Sequence, residues 1–324
     1  NADQVILDGE GEPNGQTGLN ASSNFSFFFL DEANASNPFL EAYTKADAGT
    51  ITVNAMGPGG LTIRGGASIS TESRAFGRAG DIIINASNMD LSRDGMPFGA
   101  IASQSAFAGD AGNINVFATG DINIQDGFEI TGSTAGTGAG GIVSVTADNT
   151  INISGENSGI ASAAPEPPQE VKDLLGRTFN SADFDGLISD FNEFVAGFEF
   201  LPPDATMYEV LAALRLAGFI FIDDPISAGD AGPVSVTAAA LNIDGPSRIT
   251  SSTSSDGSGG PVNIQVGTLS MSNNAEIRSR SGLPNINTGE LEVGIGNGGD
   301  INIAASNDIS MQSGSSISVS SLGD

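Results

Sequence analysis

Between Ala79 and Val145 one pattern is written twice and begun a third time. It runs Ala79-Gly80-Asp81-Ile82-Ile83-Ile84, then Met89-Asp90-Leu91, Asp94-Gly95 and Ile101-Ala102-Ser103, and it returns at Ala111-Gly112-Asn113-Ile114-Asn115-Val116. The second copy passes through Ile122-Asn123-Ile124, Asp126-Gly127 and Ile130-Thr131-Gly132 before Gly140-Gly141-Ile142-Val143-Ser144-Val145 opens the next. Each copy holds three short segments in which apolar residues alternate with Asn, Ser or Thr. That period belongs to a strand with one buried face and not to a helix. Gly-Gly, Ala-Gly and Asp-Gly separate the segments, residues that tolerate the positive backbone angles of tight turns. A three-strand unit of about 30 residues cannot bury its apolar face alone, so the repeat predicts the stacked turns of a parallel β-helix.

Traced along the whole chain, the first segment recurs at Ile51/Val53, Ile82/Ile84, Ile114/Val116, Val143/Val145, Val234/Val236, Val262/Ile264 and Ile301/Ile303. The second recurs at Val5/Leu7, Leu61/Ile63, Met89/Leu91, Ile122/Ile124, Ile151/Ile153, Leu241/Ile243, Leu269/Met271 and Ile309/Met311, and the third begins at Leu19, Ile69, Ile101, Ile130, Ile160, Ile249, Ile277 and Ile317. The expected architecture is therefore all-β, about eight three-strand coils rising about 40 Å. Coils one to five occupy 1–163, an α-helical insertion 164–227, and coils six to eight 228–324. Asn1-Ala2 matches Asn85-Ala86, which follows a first strand, and Gly323-Asp324 matches Gly109-Asp110, which precedes one. Both matches lead us to expect a window on a longer repetitive protein, or a subunit that stacks end to end.

Three stretches break the pattern. Residues 24–47 carry Phe25, Phe27, Phe28, Phe29 and Leu30, too apolar a cluster to leave in water; it reads as a flap over the coil wall or a contact for a partner. After Pro165, Pro167 and Pro168, the residues Phe184, Leu187, Ile188, Phe191, Phe194, Val195 and Phe198 are spaced three and four apart, as on one helix face. Asp204 caps a second expected helix with Tyr208, Leu211 and Leu214, ended by Gly218. This insertion reads as a helical appendage or as a recognition module. A third loop runs from Ser281 to Asn297. All three leave after a third strand and return before a first strand, so a stacked coil brings them out at one corner, the best candidate for a functional surface. The candidate contact residues there are Phe27, Phe28, Phe29, Phe191, Phe194, Phe198, Tyr208 and Leu211.

The chain carries 11 Lys and Arg against 39 Asp and Glu, a formal charge of −28. Phosphate backbones need clustered positive charge, so nucleic acid is not an expected partner, nor is an anionic membrane surface. No apolar run approaches the roughly 20 residues that span a bilayer. Without His or Cys, histidine triads, thiol nucleophiles and the usual zinc sets are missing. The Asp-Gly pairs at Asp8, Asp94, Asp126 and Asp244 close the second strands. Stacking brings Asp94 and Asp126 about 5 Å apart, a spacing suited to a turn, to a weak calcium site or to acid/base work. The turn is the plainest reading, so no catalytic residue and no cofactor is assigned, with Asp94 and Asp126 kept as calcium candidates. Outward polar positions, among them Asn115, Asn123, Asn152, Asn242, Asn263 and Asn302, make a ladder that bonds stacked neighbours or reads a glycan or ice lattice.

The segments Ala111 to Val116, Leu241 to Gly245 and Ile101 to Ser103 resemble the repeats of filamentous-haemagglutinin-like exoproteins of two-partner secretion, in the variant familiar from large cyanobacterial surface proteins. That resemblance implies a right-handed parallel β-helix, export through an outer-membrane transporter, and a place in a cell-surface or extracellular fibre or adhesin. The sequence departs from the family in lacking its N-terminal secretion domain and in carrying the helical insertion. The expected function is structural and non-enzymatic: a fibre segment whose partners are copies of itself or further repeats of the same chain, end to end. An adhesin that binds a surface glycan or protein through the corner loops is the alternative. A polysaccharide-cleaving β-helix enzyme, which needs carboxylates with Arg or Lys clustered in a groove, stands third.

Overall fold

The computed structural model describes residues 4–9, 18–24, 47–74, 77–96, 99–105, 109–134, 138–164, 229–253, 257–282 and 296–321. The three interruptions fall largely outside these, and so do the expected flap and the expected helices. Among the described residues all regular structure is strand, numbered here along the chain. First segments form β3 (Ile51–Ala55), β6 (Ile82–Ala86), β9 (Ile114–Ala118), β12 (Val143–Ala147) and β19 (Ile301–Ala305). Second segments form β1 (Gln4–Asp8), β4 (Gly60–Arg64), β7 (Met89–Ser92), β10 (Ile122–Gln125), β13 (Thr150–Ser154) and β20 (Ile309–Met311). Third segments form β2 (Gly18–Asn24), β5 (Ser68–Arg74), β8 (Ala100–Ser105), β11 (Glu129–Thr134), β14 (Gly159–Ala164), β16 (Arg248–Thr253), β18 (Glu276–Ser281) and β21 (Ser316–Ser321). Two longer strands, β15 (Val234–Asp244) and β17 (Val262–Ser272), each run through a first and a second segment without a break.

Each strand pairs in parallel with the strand that holds its place in the neighbouring repeat. The third segments make an eight-stranded sheet in the order β2-β5-β8-β11-β14-β16-β18-β21. First and second segments share a thirteen-stranded sheet, because β15 pairs with β12 through Val234–Thr237 and with β13 through Ala240–Asp244. This pattern fits a parallel β-helix. In β15 and β17 the expected break between first and second strands is missing, for a local reason. The polar corner Asp148-Asn149 is replaced by the single Ala239, and the N–H groups of Ala239 and Ala240 both donate to Asn149 O, at 2.8 and 3.1 Å. With no side chain to compete for the backbone there, the extended conformation carries on.

Like residues stand over like. Ile82 pairs in register with Ile114, and Ile114 with Val143; Met89, Ile122 and Ile151 form a second such column, and Ile101, Ile130 and Ile160 a third. All nine side chains are fully buried. Each contributes about 1.5 to 3 kcal/mol of apolar burial that its own repeat alone would not provide. Among the described residues the apolar cluster is aliphatic apart from Phe128 and the methionines Met89 and Met271, and Ser and Thr side chains, most of them on third strands, are buried beside it.

The corner from third to first strand explains the repeated Ala-Gly-Asx and Ile-x-Ser. A Cβ placed on Gly80 would collide with the Gly49 carbonyl, one on Gly112 with Gly80, and one on Gly141 with Gly112, so successive backbones approach here more closely than any side chain allows. The buried Ser103 hydroxyl donates to Gly80 O at 2.9 Å and accepts from Gly112 N at 2.7 Å. Ser279 repeats the arrangement with Gly260 O and Gly299 N, and Ser251 donates likewise to Gly232 O, whereas Ser162 accepts from Gly232 N but donates to Gly132 O of β11. One hydroxyl thus satisfies two backbone groups that the glycine corner leaves without a ladder partner.

Among the described residues the stacking is open at both axial faces: strands β1, β2 and β3 pair on one side only, and so do β19, β20 and β21. Inward residues lose their cover there. Ile309 and Val319 are 52% and 53% exposed, whereas Leu269 and Ser279, in register one repeat earlier, are buried.

Candidate functional site

The carboxylates singled out in the sequence sit in the turn from second to third strand. Arg93 O accepts from Met96 N at 3.0 Å across Asp94 (φ 51°) and Gly95 (φ 76°), and Gln125 O from Phe128 N at 3.1 Å across Asp126 (φ 55°) and Gly127 (φ 82°). Two successive positive φ angles inside one hydrogen-bonded turn define type I′, which favours Asp, Asn and Gly because other side chains meet their own carbonyl. Asn273-Asn274 (φ 56° and 68°) forms the same turn without the Asp-Gly signature, so the sequence reading passed over it.

The structure does bring Asp94 and Asp126 together, with Ser92 between them. The Ser92 hydroxyl lies 2.6 Å from Asp94 Oδ1 and 2.9 Å from Asp126 Oδ2, and its single hydrogen bonds one of them at a time. Asp94 N donates to the same Ser92 oxygen at 3.0 Å, and Gly65 N donates to Asp94 Oδ2 at 3.2 Å. Asp94 thus bonds Ser92 at the end of its own second strand as well as Gly65 of the preceding repeat, and Asp126 bonds Ser92 of the preceding repeat. Asp244 behaves likewise, accepting from Ser272 Oγ at 2.6 Å and Asn273 Nδ2 at 2.8 Å of the following repeat. Those two donors, helped by the Gly245 amide, hold its pKa below the ordinary carboxylate value despite the opposing effect of burial. Among the described residues no three Asp or Glu side chains converge as a metal cage would require.

Four other acidic corner residues face across layers as well. Asp110 Oδ1 accepts from Ala139 N, Asp230 Oδ1 from Ser258 N and Asp47 Oδ1 from Arg78 N, each at 2.7 Å. Asp81 Oδ1 accepts from Asn113 N and from Arg78 Nη2, both at 2.7 Å. The carboxylates capture amides of the next repeat, which gives the Asx of Ala-Gly-Asx and of the Gly-Asp turns a structural task.

On the outer face of the thirteen-stranded sheet the amides form a continuous chain. Asn242 Nδ2 donates to Asn152 Oδ1 at 2.9 Å, Asn152 to Asn123 at 2.9 Å, and Asn123 to Asp90 Oδ1 at 2.8 Å. Asp90 ends the ladder, a role that alternation alone did not reveal. Shorter ladders join Asn85 to Asn54 at 2.9 Å and Asn302 to Asn263 at 3.1 Å. The structure therefore uses these side chains on one another, the plainer of the two readings.

The eight-stranded sheet holds a feature the sequence reading did not register. Arg248 Nη2 lies 2.6 Å from Glu129 Oε1, two strands away, and Arg278 Nη1 lies 3.3 Å from Glu276 Oε2. Only register identifies this cluster, because 119 residues separate Arg248 from Glu129.

Of the expected contact residues, Phe27, Phe28, Phe29, Phe191, Phe194, Phe198, Tyr208 and Leu211 all lie outside the described residues. The element order does place all three interruptions alike, between β2 and β3, between β14 and β15, and between β18 and β19, always from a third strand to a first. No described helix is long and apolar enough to cross a membrane. No protein-family model, curated protein or solved structure matches the chain.

Proposed function

We propose that this chain is a non-enzymatic structural segment of an extracellular or cell-surface fibre, in which right-handed coils, about eight of them in this chain, continue end to end. The observation that carries the reading is the conjunction of in-register stacking with open axial faces. Exposed Ile309, Met311, Ile317 and Val319 lie beside strand edges unpaired among the described residues at one face, and exposed Leu19 with half-buried Val5 and Leu7 at the other. Native proteins cover or cap such edges, and a further coil, from another copy or from more of the same chain, does so with the same geometry. Backbone hydrogen bonds then run along the fibre axis, and an acidic surface of net charge −28 keeps fibres apart laterally. The likeness of the repeats to filamentous-haemagglutinin-like exoproteins agrees with a surface location.

Negative-stain images of the native material test the reading. Uniform unbranched fibres are expected; globular particles with no axial association would contradict it. A second reading, an adhesin, draws support from the shared exit edge of the three interruptions. Deleting residues 164–227 separates the two: attachment to a glycan or protein surface is lost with fibres intact if the corner segments bind, and retained if they do not.

A further inference from the structure

On the outer face of the eight-stranded sheet, β16 and β18 carry Arg248, Arg278 and Arg280, three of the 11 cationic side chains of the whole chain. Alternation and register fix their neighbours. The outward positions of β16 are Arg248, Thr250 and Ser252, those of β18 are Glu276, Arg278 and Arg280, and those of β21 are Ser316, Ser318 and Ser320, each triplet beside the next. Two carboxylates answer the arginines. Arg248 reaches Glu129 across Gly159, whose missing side chain leaves the path open, and Arg278 meets Glu276. An excess of donors remains. The Nε–H groups of Arg248 and Arg278 are buried with no hydrogen-bond partner among the described residues, and Arg280 forms no ion pair among them. The Arg278 side chain is only 21% exposed, and Arg280 follows it on the same face of the strand, about 7 Å along. Burial first, then Arg280, with a smaller push from Arg248, hold the Arg278 pKa below the usual arginine value against the pull of Glu276. Two like charges side by side, with buried N–H groups short of acceptors, are destabilising until an anion reaches them.

We propose that this face binds an acidic sugar residue, a uronate within an otherwise neutral glycan, whose carboxylate bridges Arg278 and Arg280. A carboxylate is planar and accepts from two N–H groups at once, the pairing for which a guanidinium is preorganised. The neighbouring hydroxyl groups point to a sugar as its carrier. Thr250 and Ser252, 2.7 Å apart through their hydroxyls, border the arginine pair on one strand, and Ser318 and Ser320 border it on the other. Such groups both donate and accept, as the hydroxyls of a pyranose do. None of the outward positions on β16, β18 and β21 is apolar, so the side chains of a peptide find no apolar surface to settle on. The charge of the chain restricts the charge of the ligand. At −28 it repels a polyanion, whereas a single carboxylate among neutral sugars meets little of that repulsion. Further coils stack on the axial faces and not on this outward one, so the inference stands apart from the fibre reading.

Titration of the intact chain with glucuronate tests it, read from the side-chain Nε–H resonances of arginine in isotope-labelled protein. Saturable shifts are expected at Arg278 and Arg280. Glucose should give none, and acetate, which lacks the hydroxyls, should bind about fivefold more weakly than glucuronate. Arg280→Gln is expected to weaken glucuronate about tenfold and to leave strand melting unchanged, because Arg280 has no ion pair to lose among the described residues. Arg280→Lys keeps the charge without the planar fork and should recover only part of the binding. No shift at either arginine, or shifts that Arg280→Gln leaves as they were, would overturn the proposal. Binding of acetate, inorganic sulfate or N-acetylglutamate as tight as that of glucuronate would overturn it too, by showing a site for anions in general or for acidic peptides.

Discussion

At the residue scale the glycines and aspartates of the repeat do different work from what their reputation as flexible turn formers suggests. Gly112 has no unusual angle to satisfy; it is glycine because Gly80 O occupies the place of a Cβ. Gly112→Ala is therefore expected to destabilise the chain by about 3 kcal/mol or more, since backbone and not a movable side chain must yield. Gly95 has a φ of 76° and open space around it, so Gly95→Ala should cost about 1 kcal/mol, from conformation alone. Urea unfolding of both variants checks the order. For Asp244 the sign follows from its depressed pKa. The stabilisation from Ser272 and Asn273 is complete above the ordinary carboxylate value and disappears as the pH falls through the lowered one. Asp244→Asn should thus melt below the parent at pH 7, with the gap closing on acidification under pH 4; a gap that widens in acid would refute the assignment.

At the scale of the elements, the energetic unit is the column and not the strand. Ile122 is fully buried between Met89 and Ile151, and Ile122→Ala should cost about 2 to 5 kcal/mol. Ile309 ends its column half in water, and the same change there should cost under about 1 kcal/mol. Chemical denaturation of the two variants reads this contrast, and equal losses would mean that Ile309 is covered. The columns were legible in the sequence because the alternation of Ile with Asn or Ser is regular and its copies can be laid over one another by eye. What escaped the reading was whatever depends on register across long separations. Asp90 as the foot of the Asn ladder, the Ser103 hydroxyl spanning two glycines, and Arg248 reaching Glu129 over Gly159 each join residues that share no local pattern. The merging of segments in β15 escaped for the opposite reason. It turns on a local loss, one polar corner residue fewer around Ala239, too small a change for a repeat count to notice.

At the scale of the molecule, a stack of near-identical layers gains stability from its neighbours and surrenders it at its ends. The exposed side chains of β20 and β21 mark where that surrender happens, and a further layer would restore both the apolar cover and the strand pairing. Lateral behaviour follows charge. In the proposed fibre, repulsion between neighbours fades as carboxylates protonate below about pH 5, and turbidity should rise. The claim beneath all of this is that each aliphatic side chain sits directly over its counterpart one repeat away. Nuclear Overhauser contacts in a chain with labelled Ile, Leu and Val methyl groups test it most directly. The account predicts cross-peaks from Ile82 to Ile114 and from Ile114 to Val143, at layer spacings of about 5 Å, and none from Ile82 directly to Val143. Absence of the two neighbour contacts, or cross-peaks joining those residues in antiparallel or shifted order, would contradict it.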